Sequence, residues 1–107
     1  LLTSALEDRS ITAWVCPTDF TALFAHDFLD FHSVSVPGRI SVVSMMNTWE
    51  MVRWEIDSYN YNVPALVTAV LDYLTRSMNP LSRNTSVVYI DGGINRRKTV
   101  GKACIIQ

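Results

Sequence analysis

The sequence predicts an α/β protein with a mainly parallel sheet flanked by helices. In residues 11–46 an apolar run, an amphipathic segment, a Pro-Gly loop and a second β-branched run follow one another. Two short strands with a helical segment between them indicate a parallel pair, because parallel strands can be joined only by a crossover. Ligands of such sheets bind beyond the carboxyl ends of the strands. We therefore expect functional residues in the turns at residues 16–19 and 44–48.

The composition is that of an ordinary globular domain. Of the 107 residues, 49% are hydrophobic and 18% are charged, and the formal net charge is -1. A charge this close to zero leaves no electrostatic footprint for nucleic acid or an anionic membrane. No apolar run approaches the roughly 20 residues that a membrane span needs, and the chain does not open on a signal segment. We expect a cytoplasmic protein with no membrane partner, in which Cys16 and Cys104 stay reduced.

The first predicted elements are a short helix and a buried strand. Apolar residues recur at helical spacing over residues 1–6, and residues 11–16 form an apolar run. Pro17 ends this run, and either Thr18 or Asp19 can cap the next helix by accepting hydrogen bonds from its free amides. These two residues are either helix caps alone or ligand contacts as well.

A helix with two apolar faces is predicted over residues 20–31. Small residues form one face, which can approach a sheet closely, and bulky residues form the other. The small face comprises Ala22, Ala25 and Leu29, and the bulky face comprises Phe20, Leu23, Phe24 and Phe31. The bulky face belongs either to the core or to a partner surface.

Further along the chain, residues 40–45 form the second buried β run, and a short helix is expected around residues 51–54. Apolar and polar residues do not alternate cleanly over residues 56–61. That segment is therefore predicted to be an exposed or a bridging strand.

The most regular helical pattern spans residues 63–78, with apolar residues recurring at spacings of three, four and seven after a possible cap at Asn62. Residues 86–90 form a third β run, which a turn of Asp and two glycines closes. The basic, then apolar segment from residue 94 to residue 107 is a candidate for a last edge strand.

The sequence contains no motif for catalysis or for metal binding. His26 and His32 point to different sides of one helical stretch, so they cannot share a metal ion. The segment around Gly93 superficially resembles a phosphate-binding loop, but Arg97 stands where that motif needs glycine. The positive charges near the end are expected to be solvated. We therefore predict no enzyme, no metal site and no cofactor.

Several segments resemble the C-terminal half of the effector-binding domain of the LacI/GalR family of bacterial transcription regulators. The family pattern is an apolar strand ending in Asn-Asp, an alanine-rich helix, and a loop and strand reading Val-Pro-x-Asp-Ile-Ser-Val-Val. Here residues 12–16 and Asp19 fit the strand end, and Val36-Pro37 with residues 40–43 fits the loop and strand without a gap. Residues 97–101 look like the family's closing Arg-x-Ser/Thr.

The resemblance implies a partial periplasmic-binding-protein-like (type I) lobe. Residues 1–107 would be the C-terminal portion of a LacI-type effector-binding and dimerisation domain, without the DNA-binding headpiece and the first lobe. In that family a small-molecule effector, often a sugar or a nucleobase, binds between two lobes and shifts the balance between operator-binding and released states. The implied protein is a cytoplasmic homodimer that contacts DNA only through the headpiece.

The positions of the family's ligand contacts are occupied here by Thr18, Met46 and Tyr61. With Asp19 and Asn47 beside them, these residues form the predicted ligand-binding set. A methionine offers no strong hydrogen bond to a hydroxyl group. We therefore expect an effector that is less hydroxylated or more aromatic than a simple sugar.

The resemblance also implies that the dimer interface lies on the helix at residues 20–31 and on the stretch after Met46. Its predicted residues are Phe20, Leu23, Phe24 and Met51, and Phe24 stands where the family has glycine. A solute-binding protein of a transport system is the alternative, because it shares the lobes, and a small enzyme domain is a third possibility. The upstream sequence distinguishes them: a helix-turn-helix indicates a regulator, a signal peptide transport, and a catalytic motif an enzyme.

Overall fold

The fold is a four-stranded mixed sheet with helices in its crossover connections, seen in a computed structural model that describes residues 1–76 and 87–104. In chain order the elements are α1 (Leu2–Glu7), β1 (Ala13–Val15), α2 (Asp19–Phe31), β2 (Ser41–Ser44), α3 (Trp49–Arg53), β3 (Asp57–Asn60), α4 (Val63–Arg76) and β4 (Gly93–Asn95). The strands lie in the order β1-β2-β3-β4. The first three are parallel, and β4 is antiparallel to β3. The predicted α/β architecture is confirmed.

The small face of α2 is what attaches this helix to the sheet. Ala22, Ala25 and Leu29 are buried, as their spacing predicts. Their short side chains let the helix lie close to β2, where Val42 is also buried. The core is completed by Trp14, Cys16, Ile40, Met51 and Ile56. The bulky face is turned outward, and Phe20, Phe24 and Phe31 are largely exposed. Membership of the core, one of the two predicted roles for this face, is therefore wrong for the three phenylalanines, whereas Leu23 is partly buried and packs against the core.

Strand β3 bridges the sheet between β2 and β4. Ile56, Asp57 and Ser58 are fully buried, so the alternative of an exposed strand is wrong. The sequence pattern allowed an exposed strand because the buried polar side chains of Asp57 and Ser58 break the alternation of apolar and polar residues. Their burial is tolerated because both find hydrogen-bond partners inside the protein.

Helix α4 confirms the most regular helical pattern as far as Arg76, and residues 77 and 78 of the predicted helix lie outside the described residues. None of its side chains at residues 63–75 is buried. Val63, Leu66, Val67, Val70 and Leu74 form one side of the helix and are each about half exposed. The sequence therefore predicts this helix correctly, but its pattern does not indicate what packs against the apolar side.

The predicted β run at residues 86–90 is wrong for residues 87–90, which form no strand, and residue 86 lies outside the described residues. The free edge of β3 is taken by β4 instead, with Gly93 opposite Asn60. A last edge strand is thus confirmed, but it spans only residues 93–95, so within the described residues the predicted segment contributes residues 94 and 95 alone. No helix within the described residues is long and apolar enough to cross a membrane. Cys16 is buried and Cys104 exposed, and both are free thiols.

Candidate functional site

The two turns singled out by the sequence meet in one surface depression of about 240 Å³. They meet because β1 and β2 are parallel neighbours, so their carboxyl ends lie at the same edge of the sheet. The depression is lined by Thr18, Asp19, Phe20, Leu23, Met46, Thr48 and Glu50. Three of the five predicted ligand-binding residues, Thr18, Asp19 and Met46, are thus brought together. Asn47 and Tyr61 lie outside this lining.

Thr18 acts as the N-cap of α2. Its hydroxyl accepts a hydrogen bond from the Thr21 amide at 3.2 Å, and its own amide donates to the Thr21 hydroxyl at 3.2 Å. This reciprocal pair is a capping box, which satisfies amides that the helix itself cannot. The helix-cap role predicted for Thr18 is confirmed, and its hydroxyl already has a partner within the chain.

Asp19 joins the start of α2 to the turn that follows β2. Its side chain is almost completely buried, and Oδ1 accepts from the Met46 amide at 3.1 Å while Oδ2 accepts from the Thr48 amide at 2.6 Å. Burial by itself raises the pKa of Asp19, but the hydrogen bonds from Thr48 and Met46 outweigh it and hold the pKa below its ordinary value. Both carboxylate oxygens are therefore committed to the protein.

Asn47 is also held from within the chain. Its backbone has a φ of 55°, in the left-handed region that asparagine tolerates better than most residues. Its amide donates to Ser58 Oγ at 2.8 Å, and its Oδ1 accepts from Arg97 Nη2 at 2.6 Å. The Asn47 side chain therefore supports the turn, and its Nδ2 group is the part with hydrogen bonds left to give.

The accessible part of the depression is apolar. Met46 is 50% exposed and Phe20 is 79% exposed. Leu23 is partly buried beside them. Tyr61 stands apart at the end of β3, half exposed and edge-on to Tyr59 with ring centroids 5.2 Å apart. A molecule in this depression would meet mostly carbon and sulfur atoms.

The predicted dimer residues are divided by the structure. Phe20 and Leu23 line the same depression as Met46, whereas Phe24 lines an apolar groove of about 590 Å³ between α1, β1 and α2. Met51 is fully buried in the core. The prediction for Met51 therefore needs correction, because a side chain with no exposed surface cannot contact a second subunit. It is buried because α3 turns this residue toward the sheet.

Sequence reasoning missed the role of the basic segment near the end of the chain. Arg96 Nε lies 3.0 Å from Oδ2 of the buried Asp57, and Arg97 Nη1 donates to the Ile56 carbonyl at 2.8 Å. Lys98 pairs with Glu55 at 2.8 Å on the surface. The expectation of solvated charges is wrong for Arg97, whereas Arg96 and Lys98 are mostly exposed and pair with carboxylates at the same time. The available signal was Asp57 itself, an acidic residue inside a strand-like segment.

Thr99 completes this attachment. Its amide donates to Asp57 Oδ1 at 2.7 Å, and its hydroxyl accepts from the Asp57 amide at 2.9 Å. The same hydroxyl donates to the Val42 carbonyl at 2.7 Å, and the Val42 amide donates to the Thr99 carbonyl at 2.9 Å. The segment after β4 is therefore fixed to both β2 and β3, and through Arg97 to the turn at Asn47.

Acid is expected to destabilise the protein through two carboxylates, Asp19 and Asp57. Burial raises the pKa of Asp57, but hydrogen bonds from residues 97–100 outweigh it, so both pKa values lie below the ordinary 3.8. Their stabilising contribution is complete above the unfolded-state pKa and is lost as the pH falls through the lower folded-state values. The free energy of unfolding, measured in urea, should fall steeply below about pH 4. Asp57→Asn should make that slope shallower, and Asp91→Asn, a surface control, should not.

No protein-family profile matches the sequence, and no curated protein matches it. Solved structures do match. A sugar-binding transcriptional regulator of the LacI family from Escherichia coli, complexed with phosphate, has a TM-score of 0.74 and 18% identity, covering 92% of this chain and 36% of that chain. The Escherichia coli transcriptional repressor ascG has a TM-score of 0.75 and 19% identity, with the same coverage of 92% and 36%.

A periplasmic binding protein/LacI transcriptional regulator from Alkaliphilus metalliredigens, complexed with D-xylulofuranose, has a TM-score of 0.68 and 16% identity over 94% of this chain. The chain spans little more than a third of the length of these proteins, 36% to 38%. These proteins are described as transcriptional regulators, and one of them also as a periplasmic binding protein. Within the described residues, no group of three or more metal-ligating side chains lies together. The chain thus has the fold of a partial periplasmic-binding-protein-like (type I) lobe, as found in LacI-type effector domains.

Proposed function

We propose that this chain is the effector-sensing and dimerising portion of a bacterial transcription regulator. It would be the C-terminal portion of a LacI-type effector domain in a cytoplasmic homodimer, with the first lobe and the DNA-binding headpiece outside this chain. The observation that carries the proposal is the depression at the carboxyl ends of β1 and β2, where Thr18 and Met46 converge in a LacI-type fold. An effector bound there and against a first lobe would shift the protein between operator-binding and released states.

The ligand we propose is less hydroxylated or more aromatic than a simple sugar. Matched proteins are described as sugar-binding or as complexed with D-xylulofuranose, and a sugar needs several fixed hydrogen-bonding groups. In this chain the polar groups of Thr18, Asp19 and Asn47 already bond within the protein. Met46 then supplies the contact surface in the depression, and Tyr61, outside it, would be reached only by a ligand that extends beyond the depression. Thr18 could act as the polar handle only beside its capping bond with Thr21, and Asp19 and Asn47 act by holding the turn.

Calorimetry of the full-length protein tests this ligand chemistry, with indole and phenolic acids compared against D-glucose. The aromatic compounds should bind more tightly than the hexose. Met46→Ala should weaken aromatic binding about tenfold, since about 1.4 kcal/mol of apolar contact is lost. Val52→Ala is the matched control, because Val52 is similarly exposed on α3 but lies outside the depression. Tight binding of D-glucose would contradict the proposal.

The exposed face of α2 supports the proposal of a homodimer. Phe20, Phe24 and Phe31 lie on one stripe of the helix, and a large exposed apolar patch is typical of a protein interface. Light scattering should detect a dimer, and a monomer at high protein concentration would contradict this part of the proposal.

A solute-binding protein of a transport system is the second candidate. One matched structure is described as a periplasmic binding protein as well as a LacI regulator, and the two classes share the lobe. The upstream coding sequence decides between them. A helix-turn-helix headpiece supports the regulator, whereas a signal peptide would support transport.

A further inference from the structure

The turn that follows β2 places Met46 in the proposed ligand site, and Asn47 is the central residue of that turn. Asn47 has a φ of 55°, a left-handed backbone that persists at a residue other than glycine only where its surroundings hold it. The Asp19 carboxylate holds the Met46 and Thr48 amides on either side. The left-handed residue between them needs contacts of its own to stay in place.

Arg97 supplies the contact that holds the Asn47 side chain. Arg97 Nη2 donates to Asn47 Oδ1 at 2.6 Å, and Nη1 donates to the Ile56 carbonyl at 2.8 Å. Ile56 is fully buried just before β3. Because the guanidinium group is planar and its N–H groups have a fixed geometry, the two bonds together set the position of Asn47 relative to the sheet.

The backbone around Arg97 is itself attached to β3. Before it, Asn95 of β4 lies opposite Ser58, and after it, the Thr99 amide donates to Asp57 Oδ1 at 2.7 Å. Arg97 is partly buried and does not line the depression. Its route to the ligand site therefore runs through Asn47.

We propose that Arg97 is a positioning residue of the ligand site, which fixes Asn47 and through it the place of the Met46 side chain. This rests on the proposed function and deepens it by naming a residue that sets ligand affinity without touching the ligand. Without the Arg97 bridge, the turn holds its binding position in only a fraction of the molecules. The apparent affinity then falls in proportion to that fraction.

Arg97→Ala tests this role in the full-length protein, labelled with ¹³C at its methionine methyl groups, with indole as the probe. The dissociation constant of indole, taken from the shift of the Met46 methyl resonance, should rise about tenfold. Before indole is added, the Met46 resonance should already differ from that of the parent protein. The resonance of the fully buried Met51 should stay in place, which shows that the variant is folded.

Arg96→Ala is the matched control, because it removes the same charge from the neighbouring position. Arg96 Nε donates to Asp57 Oδ2 at 3.0 Å, so this side chain bonds to Asp57 rather than to Asn47. Indole affinity and the Met46 resonance should keep their parent values in this variant. Arg97→Lys keeps the charge but lacks the pair of directed donors, and it should weaken indole binding nearly as much as Arg97→Ala does.

Asn47→Gly removes the same hydrogen bond from its other end. Glycine adopts the left-handed conformation freely, so the turn can still form, but the acceptor for Arg97 Nη2 is gone. Indole binding should weaken, and adding Arg97→Ala should weaken it no further, because both changes remove one interaction. Additive losses would overturn the proposal. Unchanged indole binding in Asn47→Gly would overturn it even where Arg97→Ala does not fold.

The outcomes separate this proposal from the proposed function. Equal indole affinity in the parent protein and in Arg97→Ala, or equal losses in Arg96→Ala and Arg97→Ala, overturns the positioning role and leaves the ligand site standing. A parent protein that does not bind indole contradicts the proposed ligand chemistry, and the ligand-free spectra then decide on Arg97. A Met46 resonance displaced by Arg97→Ala but not by Arg96→Ala supports the positioning role, and one displaced by neither overturns it.

Discussion

Replacing Asp57 with alanine is expected to lower the free energy of unfolding by about 3 kcal/mol. The Thr99 and Val100 amides both donate to Oδ1 of this fully buried carboxylate. Alanine leaves both donors without an acceptor, at about 1–3 kcal/mol for each buried group. The ion pair with Arg96 adds little, because the Arg96 side chain is mostly exposed. Urea unfolding at neutral pH measures the loss.

Asp57→Asn separates hydrogen bonding from charge. The amide oxygen can still accept from Thr99 and Val100, but the amide nitrogen now faces Arg96 Nε, so this variant should lose about 1–2 kcal/mol, less than Asp57→Ala. Asp91→Ala is the surface control and should stay within about 0.5 kcal/mol of the parent protein. If Asp57→Ala costs no more than Asp91→Ala, the attachment of the C-terminal segment to β3 is not what stabilises this part of the fold.

Leu29→Ala is expected to cost about 2–5 kcal/mol in the free energy of unfolding. Leu29 is fully buried on the small face of α2, so its truncation removes apolar contact and leaves a cavity against the sheet. The large effect follows because α2 is attached to the sheet through this face. Thermal or urea unfolding of the purified chain measures it.

Phe31→Ala is the matched control for Leu29→Ala, two residues along the same helix. Phe31 is 85% exposed, so its removal should change the free energy of unfolding of the monomer by no more than about 0.5 kcal/mol. Equal losses in the two variants would show that the assignment of buried and exposed faces of α2 is wrong.

The features predicted correctly from the sequence are those with local signals. The division of α2 into a small and a bulky face follows from helical spacing, and Thr18 as a cap follows from its position before the helix. The parallel pairing of β1 and β2 follows from the crossover between them. These features depend on neighbours within a few residues along the chain.

The features missed by sequence reasoning depend on distant partners. Asp57 and Arg96 are 39 residues apart in the sequence, and nothing in either local pattern indicates their ion pair. Residues 87–90 are apolar and β-branched in part, but a strand needs an edge to pair with, and β4 takes the edge of β3. Met51 looked available for a subunit contact because sequence alone does not tell which side of so short a helix faces the sheet.

Prediction of the candidate site was limited in the same way, because its hydrogen bonds join residues that are distant in the sequence. Sequence reasoning placed Thr18, Asp19 and Met46 at the ends of adjacent strands, and they do line one depression. It did not reveal that the two Asp19 oxygens accept from the Met46 and Thr48 amides, or that Asn47 Oδ1 accepts from Arg97. Hydrogen bonds of this kind decide whether a polar residue can reach a ligand, and they are set by tertiary packing.

The most direct test of the proposed ligand site is nuclear magnetic resonance of the full-length protein labelled with ¹³C at its methionine methyl groups. Met46 is half exposed in the depression, and the fully buried Met51 is an internal reference. Added phenol or indole should shift the Met46 methyl resonance and leave that of Met51 in place, and D-glucose at the same concentration should shift neither. A Met46 resonance that D-glucose moves more than the aromatic compounds do, or that none of the three moves, would contradict the account.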